Sequence, residues 1–116
     1  TRNFDQFREN AGAAATVAMA PQDHEALHLL AGYNKGLTCL LCAQCVSSCP
    51  EHIGISDILR YERYARDYHE MDRARSEYAA LTRNGSACVG CGDCLTSCTQ
   101  EINIPAKLKD VHRLLG

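Results

Sequence analysis

The sequence predicts an all-α fold made of two pseudo-symmetric units, each a cysteine ladder followed by a helix, behind a helical N-terminal segment. Three observations predict it. Little in the chain alternates with period two, whereas apolar residues recur at three- and four-residue steps, the pattern of helices with one buried face. All eight cysteines lie in two runs, CLLCAQCVSSCP from Cys39 and CVGCGDCLTSCT from Cys88. These runs stand 49 residues apart, and the likeness continues beyond them without a gap. Val46 matches Leu95, Ser48 matches Ser97, Ile53 and Ile55 match Ile102 and Ile104, Leu59 matches Leu108, and Arg60 matches Lys109. Similarity at a fixed offset marks a duplicated unit, here 37–66 and 86–115.

Residues 1–36 read as a connector with a short helix. FDQFREN forms a short helix and AGAAATVAMA an extended connector. PQDHEALHLLAG is a helix that starts after Pro21 and ends at Gly32, with Ala26, Leu27, Leu30 and Ala31 packed on the double unit. Residues 37–116 form the double unit. After the first ladder Ser56 is the expected N-cap, and Asp57 favours the first turn. Ile58, Tyr61, Ala65, Tyr68, Met71, Ala74, Tyr78 and Leu81 then follow one helical face. A break is expected near Glu70 to Asp72, with Asp72 able to cap a second helix. Asn84 and Gly85 mark the turn into the second ladder. Pro105 suits the first position of the last helix, whose inward residues are Leu108, Val111, Leu114 and Leu115.

Length and charge exclude several classes. A chain of 116 residues suits one domain with a modest core. Its formal charge of −2 is mixed along the sequence, with no basic stripe, so no nucleic-acid partner is expected. No apolar run approaches the roughly 18 residues of a membrane span, and the start lacks the regions of a signal peptide, so no membrane partner is expected. The chain begins at Thr1 rather than methionine.

The cysteines are too crowded for a disulfide framework, which gains most by closing long loops. Metal binding by reduced thiols is the better reading, and it points to the cytoplasm. C-x2-C-x2-C-x3-C-P is an iron–sulfur spacing in which the fourth cysteine ligates the other cluster. Three thiolates on a compact loop can wrap one cubane, while the fourth lies past a turn and reaches away. Cys39, Cys42, Cys45 and Cys98 are therefore assigned to one 4Fe–4S cluster, and Cys88, Cys91, Cys94 and Cys49 to a second. Zinc is the rival, but its tetrahedral sites take paired cysteines with longer spacers, often with histidine.

Other residues near the ladders have expected roles. Gly90 and Gly92 let backbone N–H groups approach the sulfides, and Ile53, Ile55, Ile102 and Ile104 pack over the clusters. Ser47, Ser48, Thr96 and Ser97 either donate to sulfur or cap helices. His24 and His28 share a helix face and take a surface or packing role; His52, close to Cys49, is weighed as a tuning or proton-carrying residue. His69 and His112 read as ordinary helix residues, and Tyr61, Tyr64, Tyr68 and Tyr78 as core. No Ser–His or Cys–His pair has a credible third partner, so no catalytic residue is assigned.

At the two ladders the chain resembles the two-cluster 4Fe–4S ferredoxins. The 38 residues between Cys49 and Cys88 read as helix, which is similar to the α-helical ferredoxin domains of succinate dehydrogenase iron–sulfur subunits, heterodisulfide reductases and dihydropyrimidine dehydrogenase. A closer resemblance, carried by AMAPQDHEALHLLAG, ISDILRYERYARDY and INIPAKLKDVHRLL around the ladders, is to the C-terminal ferredoxin-like domain of bacterial aldo/keto reductase-like oxidoreductases. It implies an electron-transfer domain with two 4Fe–4S clusters. The implied redox partner is an aldo/keto reductase-like domain upstream of Thr1, or a flavoprotein. The alternative is a structural or interaction module whose clusters staple the fold without redox turnover. Thr99 departs from the family pattern, which has proline after the fourth cysteine; the resulting free N–H bears on the first cluster.

Overall fold

The computed structural model describes residues 2–15 and 18–116, which contain seven α-helices, one 3-10 turn and no strand. They divide into two compact units, Thr1–Tyr33 and Asn34–Gly116.

In the first unit, α1 (Phe4–Ala14) is capped by Asn3, whose side chain accepts from the Gln6 N–H at 2.9 Å. It runs past FDQFREN because Ala11, Ala13 and Ala14 are strong helix formers. The extended connector expected from residue 11 therefore begins later, and Thr16 and Val17 of it lie outside the described residues. The second helix, α2 (Pro21–Asn34), includes Pro21, after which it was expected to start, and outruns its expected end at Gly32. None of its residues is buried, including Ala26, Leu27, Leu30 and Ala31, which were expected inward. Its apolar residues run almost consecutively from 26 to 31, so they spread around the helix rather than forming one face.

The second unit carries the duplication into three dimensions. It contains α3 (Gln44–Ser47), α4 (Ile55–Arg66), α5 (Met71–Ala79), a 3-10 turn (Gly85–Ala87), α6 (Asp93–Thr96) and α7 (Ile104–Leu115). Helices α3 and α6 occupy equivalent positions 49 residues apart, as do the 12-residue helices α4 and α7. α4 packs against α5 and α7, and α3 meets α6. Their shared core holds Ile53, Ile55, Ile58 and Leu59 from one half with Ile102, Ile104, Leu108 and Val111 from the other.

Several local expectations are corrected. Gly54, not Ser56, precedes α4; Ile55 already belongs to the helix, and Ser56 is buried in its first turn. In α7 the cap is Asn103, whose side chain accepts from the Ala106 N–H, which places Pro105 second rather than first. α4 stops at Arg66, with the Tyr68 N–H bonded back to Arg63 O (3.1 Å) and the Glu70 N–H to Tyr64 O (2.7 Å). These bonds satisfy carbonyls at the helix end. His69 takes the left-handed conformation there (φ 58°), so it is a break residue and not a helical one. Glu70, not Asp72, sits at the cap position of α5. Tyr68, on this break, is exposed, while Tyr78 is buried and Tyr61 and Tyr64 are partly so.

The second ladder is anchored by Tyr78, whose hydroxyl accepts from the buried Gly85 N–H at 2.9 Å and bonds His112 Nδ1 at 3.0 Å. His112 is thus part of a tie between α5, the turn and α7. Gly85 is required by closeness, since a Cβ there would lie 2.6 Å from Leu108 O. A second polar tie is Glu62, 7% exposed, which accepts from Lys107 Nζ at 2.9 Å and pairs with Arg66 Nε at 3.1 Å. The repeat-equivalent positions of Glu62 and Lys107 hold Val111 and Ile58.

Candidate metal centres

Each ladder curls through left-handed residues at matching positions. Leu41 (φ 58°) and Ala43 (φ 61°) in the first correspond to Gly90 (φ 72°) and Gly92 (φ 89°) in the second. A short helix follows, opened by Val46 N–H to Ala43 O (3.0 Å) and by Leu95 N–H to Gly92 O (2.9 Å). The fourth cysteine ends this turn, its N–H bonded to Val46 O in Cys49 (3.2 Å) and to Leu95 O in Cys98 (3.4 Å). Beyond it the chain turns left-handed again, at His52 and Glu101.

The two ladders exchange their ends. Cys39, Cys42 and Cys45 line a cavity together with Cys98, and with Ile102 and Ile104 of the second repeat's I-x-I segment. Cys88, Cys91 and Cys94 line another with Cys49, Ile53 and Ile55. The swap thus includes the isoleucines as well as the thiols. α3–α6 contact brings the ladders side by side, and the Gly36 N–H to Gln100 O bond and the Lys35–Glu101 ion pair (2.7 Å) add to this seam.

In each set the third cysteine is buried, Cys45 and Cys94 both 7% exposed, and the second, Cys42 or Cys91, is exposed. Burial pushes the Cys45 thiol up to about 11, and the neighbouring Cys39 and Cys98 add to the rise. Burial likewise raises Cys94, with Cys88, Cys91 and Cys49 contributing in the same direction. Cys39 is raised first by burial and also by Cys42 and Cys98, against the Leu41 N–H and the Arg63 guanidinium, which lower it. The Leu41 N–H lies 3.3 Å from Cys39 Sγ. Cys39, Cys45 and Cys94 thus resist ionisation unless positive charge enters among them. Among the described residues no three His, Cys, Asp or Glu side chains converge closely enough to hold a single metal ion. Four cysteines line each of the two cavities.

The remaining expected residues divide. Gly90 and Gly92 line the second cavity. Ser97 lines the first, whereas Ser47, Ser48 and Thr96 donate to the backbone carbonyls of Gln44, Cys45 and Asp93 rather than to sulfur. His52 is exposed and lines neither cavity, and His24 and His28 are exposed on α2. The expectations did not include Arg63, which shares a further cavity with Cys39, or the Glu62–Lys107 pair. The offset of 49 carries a signal for the pair, since a carboxylate at 62 faces an apolar partner position at 111.

No known protein family, curated protein or solved structure matches this chain. Among the described residues no helix is long and apolar enough to cross a membrane.

Proposed function

We propose that the second unit is an electron-transfer domain holding two 4Fe–4S clusters, one on Cys39, Cys42, Cys45 and Cys98, the other on Cys88, Cys91, Cys94 and Cys49. The observation that carries this reading is the exchange of fourth cysteines, which lines each of two cavities with four thiols. The donor chemistry fits: the thiol sets match an iron–sulfur spacing, and each set of four lines one cavity. When bound, such clusters supply reversible one-electron transfer, with a potential set by charge, hydrogen bonds to sulfur and solvent exposure.

The chain's own residues hold and shield the centres. The cysteines would bind as thiolates, with metal charge offsetting the burial and, after it, the mutual repulsion that raise Cys39, Cys45 and Cys94. Ile53, Ile55, Ile102 and Ile104, at most 2% exposed, keep water from the inner walls. The Leu41 N–H donates toward Cys39 Sγ. A partner that exchanges single electrons is part of this reading: an aldo/keto reductase-like domain or a flavoprotein, in the cytoplasm.

Anaerobic reduction and reoxidation followed by electron paramagnetic resonance tests the proposal. Reversible appearance and loss of reduced-cluster signals is expected. Iron- and sulfide-containing protein that cannot be reduced would leave the clusters as structural staples and end the electron-transfer reading.

A further inference from the structure

The halves of the second unit repeat so closely that their differences around the thiols can be read position by position. Arg63, partly buried, lines a cavity with Cys39, while its repeat-equivalent is His112. His112 Nδ1 is bonded to the Tyr78 hydroxyl, and the outer concavity it shares with Cys88 has Lys109 as its cation, an exposed residue. Arg63, in the cavity with Cys39, is thus less solvated than Lys109, in the concavity with Cys88, and water screens it less. Two backbone differences act in the same direction. The Leu41 N–H donates to Cys39 Sγ at 3.3 Å. Thr99, which keeps its N–H, lines the first cavity where Pro50, which has none, lines the second. A carboxylate, Glu51, lines the second cavity, partly offset by Arg83 at 2.7 Å; no acidic residue lines the first. Against these stand Asp67, 3.6 Å from Arg63, and Glu62, which lines the same cavity and is paired with Lys107 and Arg66.

Positive charge and N–H donors beside cysteine sulfur favour the reduced, more negative state of an iron–sulfur centre. Resting on the cluster reading above, we propose that the centre on Cys39, Cys42, Cys45 and Cys98 has the higher reduction potential, and that Arg63 sets much of the difference. In protein holding both centres, an electron delivered to the second by a one-electron reductant would pass to the first, one losing and the other gaining one electron, with no bond or proton changing place.

Stepwise dithionite reduction of the anaerobically purified protein, followed by electron paramagnetic resonance, tests this in the wild type, Arg63→Gln, Arg63→Lys and Asp67→Asn. Two separate midpoints are expected in the wild type. Arg63→Gln moves the upper one down toward the lower, Arg63→Lys keeps the separation, and Asp67→Asn moves the upper one further up. Coincident midpoints in the wild type overturn the inference, as does a shift of the lower midpoint, or of neither, in both Arg63→Gln and Asp67→Asn. Protein without iron and sulfide would instead sink the underlying cluster reading, so the two failures are distinguishable.

Discussion

Leu41 and Gly90 hold the same left-handed backbone conformation, at φ 58° and 72°, one in each ladder. For a residue with a Cβ this region costs about 1–2 kcal/mol, because the Cβ crowds a neighbouring carbonyl oxygen. The first ladder therefore carries strain that glycine relieves in the second. An added Cβ at Gly90 would meet no atom within 4 Å, so its penalty there is conformational alone. Leu41→Gly is expected to stabilise the protein by about 1 kcal/mol and Gly90→Ala to destabilise it by a similar amount. Denaturant unfolding under anaerobic conditions measures both; a destabilised Leu41→Gly variant would refute the strain argument.

Tyr78→Phe removes the acceptor of the Gly85 N–H while leaving the ring in place. Because Gly85 is buried, its amide is left without a partner, at a cost of about 1–3 kcal/mol. The second ladder begins at the end of this turn, so amide exchange at Gly85 to Cys88 should quicken more than exchange in α4. Uniform quickening across the second unit would show that Tyr78 is only a core residue.

Glu62 and Lys107 form a partly buried pair where the other half holds Val111 and Ile58. Lys107→Met leaves the carboxylate to Arg66 alone and should cost about 1.5–3 kcal/mol. The double change Glu62→Val with Lys107→Ile, which copies the other half, should cost less than the sum of the single changes, since it leaves no unpaired charge. Additive losses in a double-mutant cycle would mean that the two side chains act independently.

The metal-free chain should weaken in alkali. Cys45 has its thiol raised from 9.0 to about 11 in the folded state. A raised folded value means that the fold retains the proton which the unfolded chain releases. That stabilisation is complete below the unfolded value of 9.0 and is lost as pH rises toward about 11. Urea midpoints of the metal-free protein should fall across this window, whereas the metal-loaded protein, its cysteines already thiolates, should not show this fall. Equal pH dependence in the two forms would mean that groups other than the cysteine thiols cause it.

How much of this is legible in the sequence depends on the range of the interaction. The helices after each ladder follow from apolar spacing, and the duplication from a constant offset, because both are properties of neighbours along the chain. The start of α4 is less legible: Ser56 has the chemistry of a cap, yet burial of Ile55 against the core draws that residue into the helix. The Glu62–Lys107 pair joins residues 45 apart, and only the packing of α4 on α7 brings them together. Arg63 escapes notice for the same reason, because its place beside Cys39 depends on how α4 lies against the loop before the ladder. Leu41 and Ala43 hide for another reason, since residue type alone argues against left-handed backbone there.

Metal and sulfide analysis of the anaerobically purified protein tests the two four-thiol centres most directly. About eight iron atoms and eight acid-labile sulfides per chain are expected for two cubanes. A colourless protein containing zinc and no sulfide would contradict them.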